Sequence, residues 1–257
     1  MSEKFENKVV IVVGGGIGIG RAVCLRLAEE GAKVVVVNRS KENGEATLSL
    51  IKEKGGEGIF VQGDAGKAED VQNYVAKTIE VYGKIDGLYN NVGITGDRMP
   101  LLGHTEESFE HIMNTNVKSA FLSMKYVLPH MIENGGGSIV NTASIAGVKP
   151  QPTFSPYSAS KSAVIGLTQA AAGEYSKDNI RFNVLCPGIT HTETLFGVIP
   201  PEQEAMAVKS MSGRIPVGRL ATPEDIAHVG CFLLSDEAAF VNGAVYVADG
   251  GMTAFLA

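Results

Sequence analysis

Continuous apolar runs alternate with amphipathic segments along most of this chain. The runs are rich in Val and Ile and show little polar alternation, which is typical of strands buried on both faces of a parallel sheet. They predict strands at 8–13, 33–37, 59–62, 85–90, 138–142, 180–185 and 244–247. The segments between them have helical periodicity and predict helices at about 18–30, 41–54, 67–82, 106–133, 155–178 and 223–235.

This alternation predicts the fold class. Strand and helix that follow each other for so long imply right-handed βαβ units, and hence a doubly wound parallel α/β sheet of about seven strands with helices on both faces. The chain contains no linker rich in Pro, Gly or Ser and no internal repeat. We therefore expect residues 1–257 to form a single domain.

One stretch, residues 189–215, fits the alternation least. Pro200 and Pro201 interrupt it, and it carries an adaptable apolar side made by Leu195, Phe196, Met206 and Met211. A lid over a substrate pocket is the prediction for this segment. An ordinary surface helical hairpin remains the alternative.

Composition and charge restrict the partners. With 44% hydrophobic residues, the chain of 257 residues can bury a sizeable core. Its net charge is −6, and no basic run interleaved with aromatic residues occurs, which argues against nucleic acid or an anionic membrane as partner. No apolar leader precedes Lys8 and no run is long enough to span a membrane, so we expect a cytoplasmic protein.

The cysteine and histidine patterns predict no metal site. Cys24, Cys186 and Cys231 are far apart, odd in number and set in apolar surroundings, as buried thiols of a reducing compartment are. The five histidines show no spacing suited to metal ligands.

A glycine-rich turn follows the first predicted strand and opens a helix. It reads Gly14-Gly15-Gly16-Ile17-Gly18-Ile19-Gly20, and its glycines fit Gly-x-x-x-Gly-x-Gly rather than Gly-x-Gly-x-x-Gly. Such a turn allows the backbone to approach a pyrophosphate that sits on the helix N-terminus. We expect this end of the chain to bind a dinucleotide.

The second predicted strand ends at Asn38-Arg39-Ser40. An acid at this position would bind the ribose 2′-hydroxyl and favour NAD, but none is present. Arg39 could instead hold a 2′-phosphate, so NADP(H) is the favoured cofactor and NAD(H) is possible. A solvated loop arginine without a ligand is the competing interpretation.

Tyr157 and Lys161 are four residues apart, and this spacing places them on one helix face. A nearby cation favours a phenolate and lowers a tyrosine pKa from its ordinary value of about 10. Such a tyrosine could exchange a proton with an alcohol or a ketone while a hydride moves.

A series of motifs appears along the chain in a fixed order. The glycine turn is followed by Asp64, Asn90-Asn91-Val92-Gly93, Asn116, Ser144, Tyr157-x-x-x-Lys161, Pro187-Gly188 and Asp249-Gly250-Gly251. In these residues, and over essentially its whole length, the chain resembles the short-chain dehydrogenase/reductase (SDR) family. The resemblance implies a Rossmann fold, an NAD(P)-dependent oxidoreductase and, usually, a homotetramer.

The resemblance also implies roles for individual residues. Tyr157 would be the general acid/base, and Lys161 would lower the pKa of Tyr157 and bind the nicotinamide ribose. Ser144 would hydrogen-bond the substrate oxygen, and Asn116 would hold a water that links Lys161 to a proton relay. The remaining cofactor contacts implied are Asp64 and Ala65 at the adenine, Asn91 and Gly93 along the trough, and Pro187, Gly188, Ile189 and Thr192 at the nicotinamide end.

Three residues depart from the family pattern near the cofactor. Val13 replaces a usual Thr, Ile17 replaces a residue that is often Ser or basic, and Val92 replaces a usual Ala. None of them touches the proton chemistry, although together they could reshape cofactor binding.

The expected reaction is the interconversion of a secondary alcohol and a ketone. A 3-oxoacyl-thioester reductase and a hydroxysteroid dehydrogenase are alternatives within the family. A non-redox member of the family or a cofactor-sensing protein without catalysis fits the sequence less well. His191 is more consistent with an ordinary loop residue than with a second base. Thr95, Phe154 and Leu195 could line the substrate pocket.

Overall fold

The computed structural model describes residues 4–197 and 199–254. Its strands are β1 (Val9–Val13), β2 (Lys33–Asn38), β3 (Glu57–Gln62), β4 (Gly87–Asn90), β5 (Gly137–Thr142), β6 (Ile180–Pro187) and β7 (Val245–Ala248). They form one sheet in the order β3-β2-β1-β4-β5-β6-β7, and every neighbouring pair is parallel. Each predicted strand is present, shifted by at most a few residues at its ends.

Helices connect the strands and cover both faces of the sheet. They are α1 (Gly18–Glu29), α2 (Lys41–Glu53), α3 (Ala68–Tyr82), α4 (Glu106–Met113), α5 (Ser119–Glu133), α6 (Ile145–Val148), α7 (Ser155–Tyr175), α8 (Glu193–Phe196), α9 (Pro201–Ser212) and α10 (Pro223–Leu234). One apolar core joins α1, α2 and α10 to the sheet, and a second joins α3, α5 and α7 to its other face. The doubly wound fold predicted from the alternation is thereby confirmed.

The strand order reverses between β1 and β4. The chain leaves β1 outward through β2 and β3, then returns to place β4 on the other side of β1. Open parallel sheets bind ligands beyond the carboxyl ends of their strands at such a switch point. The fold therefore creates a crevice beside the loops that follow β1 and β4.

The predicted helix at 106–133 is divided in the structure. A π-helical segment, Asn114–Lys118, separates α4 from α5. A π segment adds a residue to one turn, so it re-aims the side chains on it without breaking the helical path. The apolar periodicity continues through this insertion, which is why the sequence predicted one uninterrupted helix.

The segment predicted as a lid contains α8 and α9. Phe196, Ile215 and Leu220 are buried in a small apolar cluster of their own, and Ile189, Leu195 and Met211 pack against it. Met206, by contrast, is 70% exposed. The segment thus has a packed inner side, while Val198 lies outside the described residues.

Among the residues the structure describes, no helix is both long and apolar enough to cross a bilayer. Cys24, Cys186 and Cys231 are buried free thiols.

Candidate active site

The residues predicted for chemistry and cofactor binding lie beyond the carboxyl ends of the strands. The glycine turn follows β1, Asn38 ends β2, Asp64 follows β3 and Asn91 follows β4. Ser144 and Gly188 follow β5 and β6. Because all these strands are parallel, their carboxyl ends converge on the crevice at the switch point.

Tyr157 and Lys161 lie one turn apart in α7, as predicted. The Lys161 Nζ is 5.9 Å from the centroid of the Tyr157 ring. Lys161 is buried, and its Nζ donates a 2.9 Å hydrogen bond to the main-chain oxygen of Thr142 at the end of β5. The sheet therefore fixes the amine beside the phenol.

Burial determines the protonation of this pair. Loss of solvent raises the pKa of Tyr157, a hydrogen bond with Ser144 opposes that rise, and the nearby Cys186 adds to it. Burial lowers the pKa of Lys161 to about 8. The phenol thus stays a neutral proton donor at neutral pH, whereas both the spacing of Tyr157 and Lys161 and the resemblance had predicted a lowered pKa for Tyr157.

Ser144 begins the short helix α6. Its Oγ accepts a 3.1 Å hydrogen bond from the Ala146 N–H, which caps the helix. A hydroxyl that accepts in this way still has its own proton to donate, and Ser144 directs that proton to the Tyr157 phenol. Ser144 can therefore stabilise negative charge on an oxygen placed beside Tyr157.

Asn116 lies on the π segment with its side chain buried. Its Oδ1 accepts from the Ile94 N–H at 2.8 Å, and its Nδ2 donates to the Ile94 oxygen and to the Ser160 Oγ, both at 2.9 Å. These bonds use both amide protons. The Asn116 side chain thus joins the loop after β4 to α7, and its main chain would have to hold the predicted water.

The glycine turn provides free donors for an anion. α1 begins at Gly18 after Ile17, and no side chain caps its first N–H groups. A helix N-terminus of this kind attracts phosphate. Gly20 packs so closely on the turn that a Cβ there would lie 2.0 Å from the Gly14 oxygen. The turn therefore fits the expected dinucleotide, whose pyrophosphate would lie against Gly14, Ile17, Gly18, Ile19 and Gly20.

Arg21 fixes this turn through hydrogen bonds. Its guanidinium donates to the Gly16 oxygen and, through Nε, to the Thr47 Oγ1 at 3.2 Å. Its Nη1 is 3.6 Å from the Glu193 Oε1 in the first turn of α8. Arg21 thus ties the glycine turn to α2 and to the lid segment.

The lid segment reaches the glycine turn through Thr192. The Thr192 Cγ2 would lie 3.2 Å from a Cβ built on Gly18, and its Oγ1 caps α8 by accepting from Leu195 N. Thr192 therefore lies beside the glycine turn, close enough for its predicted contact with the cofactor.

The residues predicted for the adenosine side differ in whether other protein groups already hydrogen-bond their side chains. The Asn38 amide donates to the Ser40 oxygen, and the Ser40 hydroxyl caps α2. The Asp64 carboxylate accepts from the Gly66 N–H, and Ala65 is buried behind it. Arg39 is exposed, and no side-chain hydrogen bond or ion pair holds it within the described residues. Its guanidinium is therefore available to an anion.

The floor of the crevice comes from the loops after β4 and β6. The Asn91 amide lies 3.4 Å from the Gly14 oxygen, and a Cβ on Gly93 would lie 2.9 Å from the Lys161 Nζ. Pro187 pairs with Ala248, and the Gly188 N–H donates to the Ala248 main-chain oxygen. Ile189 packs into the lid cluster. The floor is thus open beside Lys161, where only glycine leaves room.

His191 turns away from the proton-transfer pair. Its ring stacks on Phe196 at 4.1 Å, and its Nε2 is 3.0 Å from the Glu204 Oε1 on α9. Phe154 does approach the pair, because its ring centroid is 6.0 Å from that of Tyr157.

Some residues of the site were not predicted from the sequence. Thr142 acts through a main-chain oxygen, which no sequence pattern marks. Arg21 and Thr47 support the glycine turn, and Arg21 follows it directly, so its position was the available signal. Ser160 lies within the Tyr157–Lys161 motif but resembles any helical serine.

Comparisons with known proteins agree over nearly the whole chain. A family model described as Enoyl-(Acyl carrier protein) reductase matches residues 15–253. The 2,5-dichloro-2,5-cyclohexadiene-1,4-diol dehydrogenase of Sphingobium indicum is 41% identical over 250 residues, which cover 97% of this chain and 98% of that protein. The cyclohexanol dehydrogenase of an Acinetobacter species is 38% identical over 253 residues, covering 98% of each. The crystal structure of levodione reductase matches with a TM-score of 0.94 and 37% identity, over 98% of this chain and 100% of that chain.

Proposed function

Since the chain belongs to the short-chain dehydrogenase/reductase family and is an NAD(P)-dependent oxidoreductase of CH–OH groups, we propose that Tyr157, Ser144 and Lys161 interconvert a secondary alcohol and a ketone. The observation that supports this most is the convergence of a neutral phenol, a serine hydroxyl that hydrogen-bonds it and a buried amine beyond the carboxyl end of β5.

In the reducing direction, Tyr157 gives its proton to the carbonyl oxygen. Ser144 donates a hydrogen bond to the same oxygen and stabilises its developing charge. The nicotinamide, when bound, supplies the hydride that reaches the carbonyl carbon. Lys161 is held by the Thr142 oxygen, and its positive charge favours the phenolate that Tyr157 becomes. In oxidation, each proton transfer runs in reverse.

We propose a small alicyclic or medium-sized secondary alcohol or ketone as substrate. The named relatives act on cyclohexanol, on a cyclohexadiene diol and on levodione. Ile189, Leu195 and Met211 of the lid segment, residues 189–215, are apolar and only partly buried, which suits such a ring. We propose that this segment closes over the substrate.

The test of the function uses cyclic ketones and both cofactors. We expect the wild type to consume NADPH with cyclohexanone derivatives and Tyr157→Phe to lose at least about a hundredfold in turnover, because the proton donor is removed. Cofactor affinity, measured by fluorescence titration, should stay near the wild-type value. Retained turnover in Tyr157→Phe would contradict the acid/base assignment.

We also propose that NADP(H) is preferred over NAD(H) and that Arg39 is the reason. Arg39 is exposed beside the neutral Asn38, where no acid repels a 2′-phosphate. Arg39→Ala should lower the ratio of kcat/KM for NADPH to that for NADH about tenfold, because a charge-assisted hydrogen bond is lost. Lys52→Ala, which removes an exposed cation from the far end of α2, is the control. An unchanged ratio in Arg39→Ala would exclude Arg39.

We propose a homotetramer in the cytoplasm as the working form. Three unpaired buried thiols suit a reducing compartment. Apolar side chains that remain exposed on α5 and β7 support assembly.

A further inference from the structure

Thr153 holds a strained backbone conformation close to the catalytic tyrosine. Its φ is +69°, a region that β-branched residues rarely occupy. Strain of this kind persists only where surrounding contacts hold it in place, and it concentrates at ligand sites. Thr153 precedes Phe154, whose ring lies 6.0 Å from that of Tyr157.

The contacts that hold Thr153 come from the loop after β4. The Thr153 oxygen accepts from the Met99 N–H at 3.1 Å, and its Oγ1 accepts from the Arg98 Nε at 3.2 Å. The Arg98 guanidinium also lies over the Phe154 ring, 5.1 Å from its centroid. Arg98 is thus fixed at two points although its side chain is exposed.

The outer end of this guanidinium is free. Arg98 donates to the Thr153 Oγ1 through Nε, so both terminal nitrogens keep their protons for another acceptor. Within residues 4–197 and 199–254, no carboxylate forms an ion pair with Arg98. Two acids of the lid segment are already engaged, since Glu193 faces Arg21 and Glu204 faces His191.

From this arrangement we propose that Arg98, Thr153 and Phe154 form a subsite, the Arg98 anchor, that binds the carboxylate of an oxo acid or hydroxy acid substrate. Arg98 would bind the carboxylate with its two terminal nitrogens, a planar fork that matches two carboxylate oxygens. The reacting carbonyl would then reach Tyr157 across the Phe154 ring. The proposal rests on the proposed alcohol/ketone chemistry and narrows its substrate class.

The spacing restricts the substrate further. Arg98 is one ring contact from Phe154, and Phe154 is one ring contact from Tyr157. Because Phe154 lies next to both Arg98 and Tyr157, we propose a substrate in which a six-membered apolar ring separates the carboxylate from the carbonyl. The apolar ring between them would lie against Phe154.

The experiment compares 4-oxocyclohexanecarboxylate with its methyl ester, which differ in charge and share the ketone. We expect kcat/KM of the wild type to be about tenfold higher for the acid than for the ester, because the acid has the lower KM. This preference should decrease as the salt concentration rises. Arg98→Gln should remove the preference, because kcat/KM falls more for the acid than for the ester. Arg98→Lys should retain part of it, because the charge remains while the fork is lost.

Lys177→Gln serves as the control, because Lys177 is an exposed cation before the amino end of β6, at the opposite edge of the sheet from Tyr157. It should keep the acid preference. Equal kcat/KM for acid and ester in the wild type, or a preference that survives in Arg98→Gln, would overturn the Arg98 anchor alone. No turnover of any ketone would overturn the proposed function, and the anchor with it.

Discussion

At the scale of residues, the site is defined by what burial does to Lys161. Its pKa falls to about 8 from an ordinary value of 10.5, because the buried position disfavours the charged form. Folding at neutral pH therefore has to bury an ammonium whose one hydrogen bond, among the residues that the structure describes, goes to the Thr142 oxygen. The proposed chemistry needs Lys161, but the burial of its charge lowers the stability of the fold.

Lys161→Met should consequently impair turnover and stabilise the fold. Below pH 8 both the folded and the unfolded chain carry the proton, so the cost of burial is fully present. It is lost as pH rises from about 8 to 10.5. At pH 7 we expect the free energy of unfolding to rise by about 2 kcal/mol in the variant, and by less at pH 9.5. Urea unfolding at both pH values measures this, and a variant less stable at pH 7 would contradict it.

At the scale of elements, the π segment Asn114–Lys118 holds the site together. It turns the Asn116 amide toward Ile94 on one side and Ser160 on the other, so three separate pieces of chain meet at one side chain. A regular helix would present a different set of side chains here.

Asn116→Ala should leave the Ile94 main-chain groups without their partners. We expect a loss of about 2 kcal/mol in unfolding free energy and a lower kcat, because the loop beside Lys161 is no longer fixed. Asn114→Ala is the matched control, since Asn114 is an exposed asparagine of the same π segment. Thermal unfolding and steady-state kinetics compare the two, and equal effects would show that Asn116 has no special part.

At the scale of the whole molecule, apolar side chains remain uncovered on two outer elements. Tyr246 and Val247, on neighbouring positions of β7, are 37% and 39% exposed, so both faces of this edge strand are partly open. Phe121 on α5 is 44% exposed. A single copy leaves these surfaces in water, which favours association with further copies.

Val247→Asp should therefore convert the expected tetramer to smaller species, because it places a charge in an apolar contact. Sedimentation velocity measures the mass. Val81→Asp is the control, since Val81 is 49% exposed on α3, a helix that packs on β3 at the opposite edge of the sheet from β7. A tetramer that persists in Val247→Asp would exclude β7 from the interface.

The sequence predicted the strands well because buried parallel strands are continuous apolar runs rich in Val and Ile. It could not predict the division at Asn114–Lys118, because the apolar face of α4 continues into α5. In the site, side chains with a motif, such as Tyr157 and Ser144, were predictable. Contacts made by main-chain oxygens, such as that of Thr142 with Lys161, depend on how strands stack and leave no residue signature.

The contact between Arg21 and Glu193 has a consequence for how the protein is made. The glycine turn and Arg21 are synthesised near the start of the chain, but Glu193 follows six of the seven strands. Contacts between such distant positions form late in folding. A partly synthesised chain can therefore build the inner half of the nucleotide crevice while its outer wall does not yet exist. We therefore expect a nucleotide to be retained only once Glu193 has been synthesised and has reached Arg21.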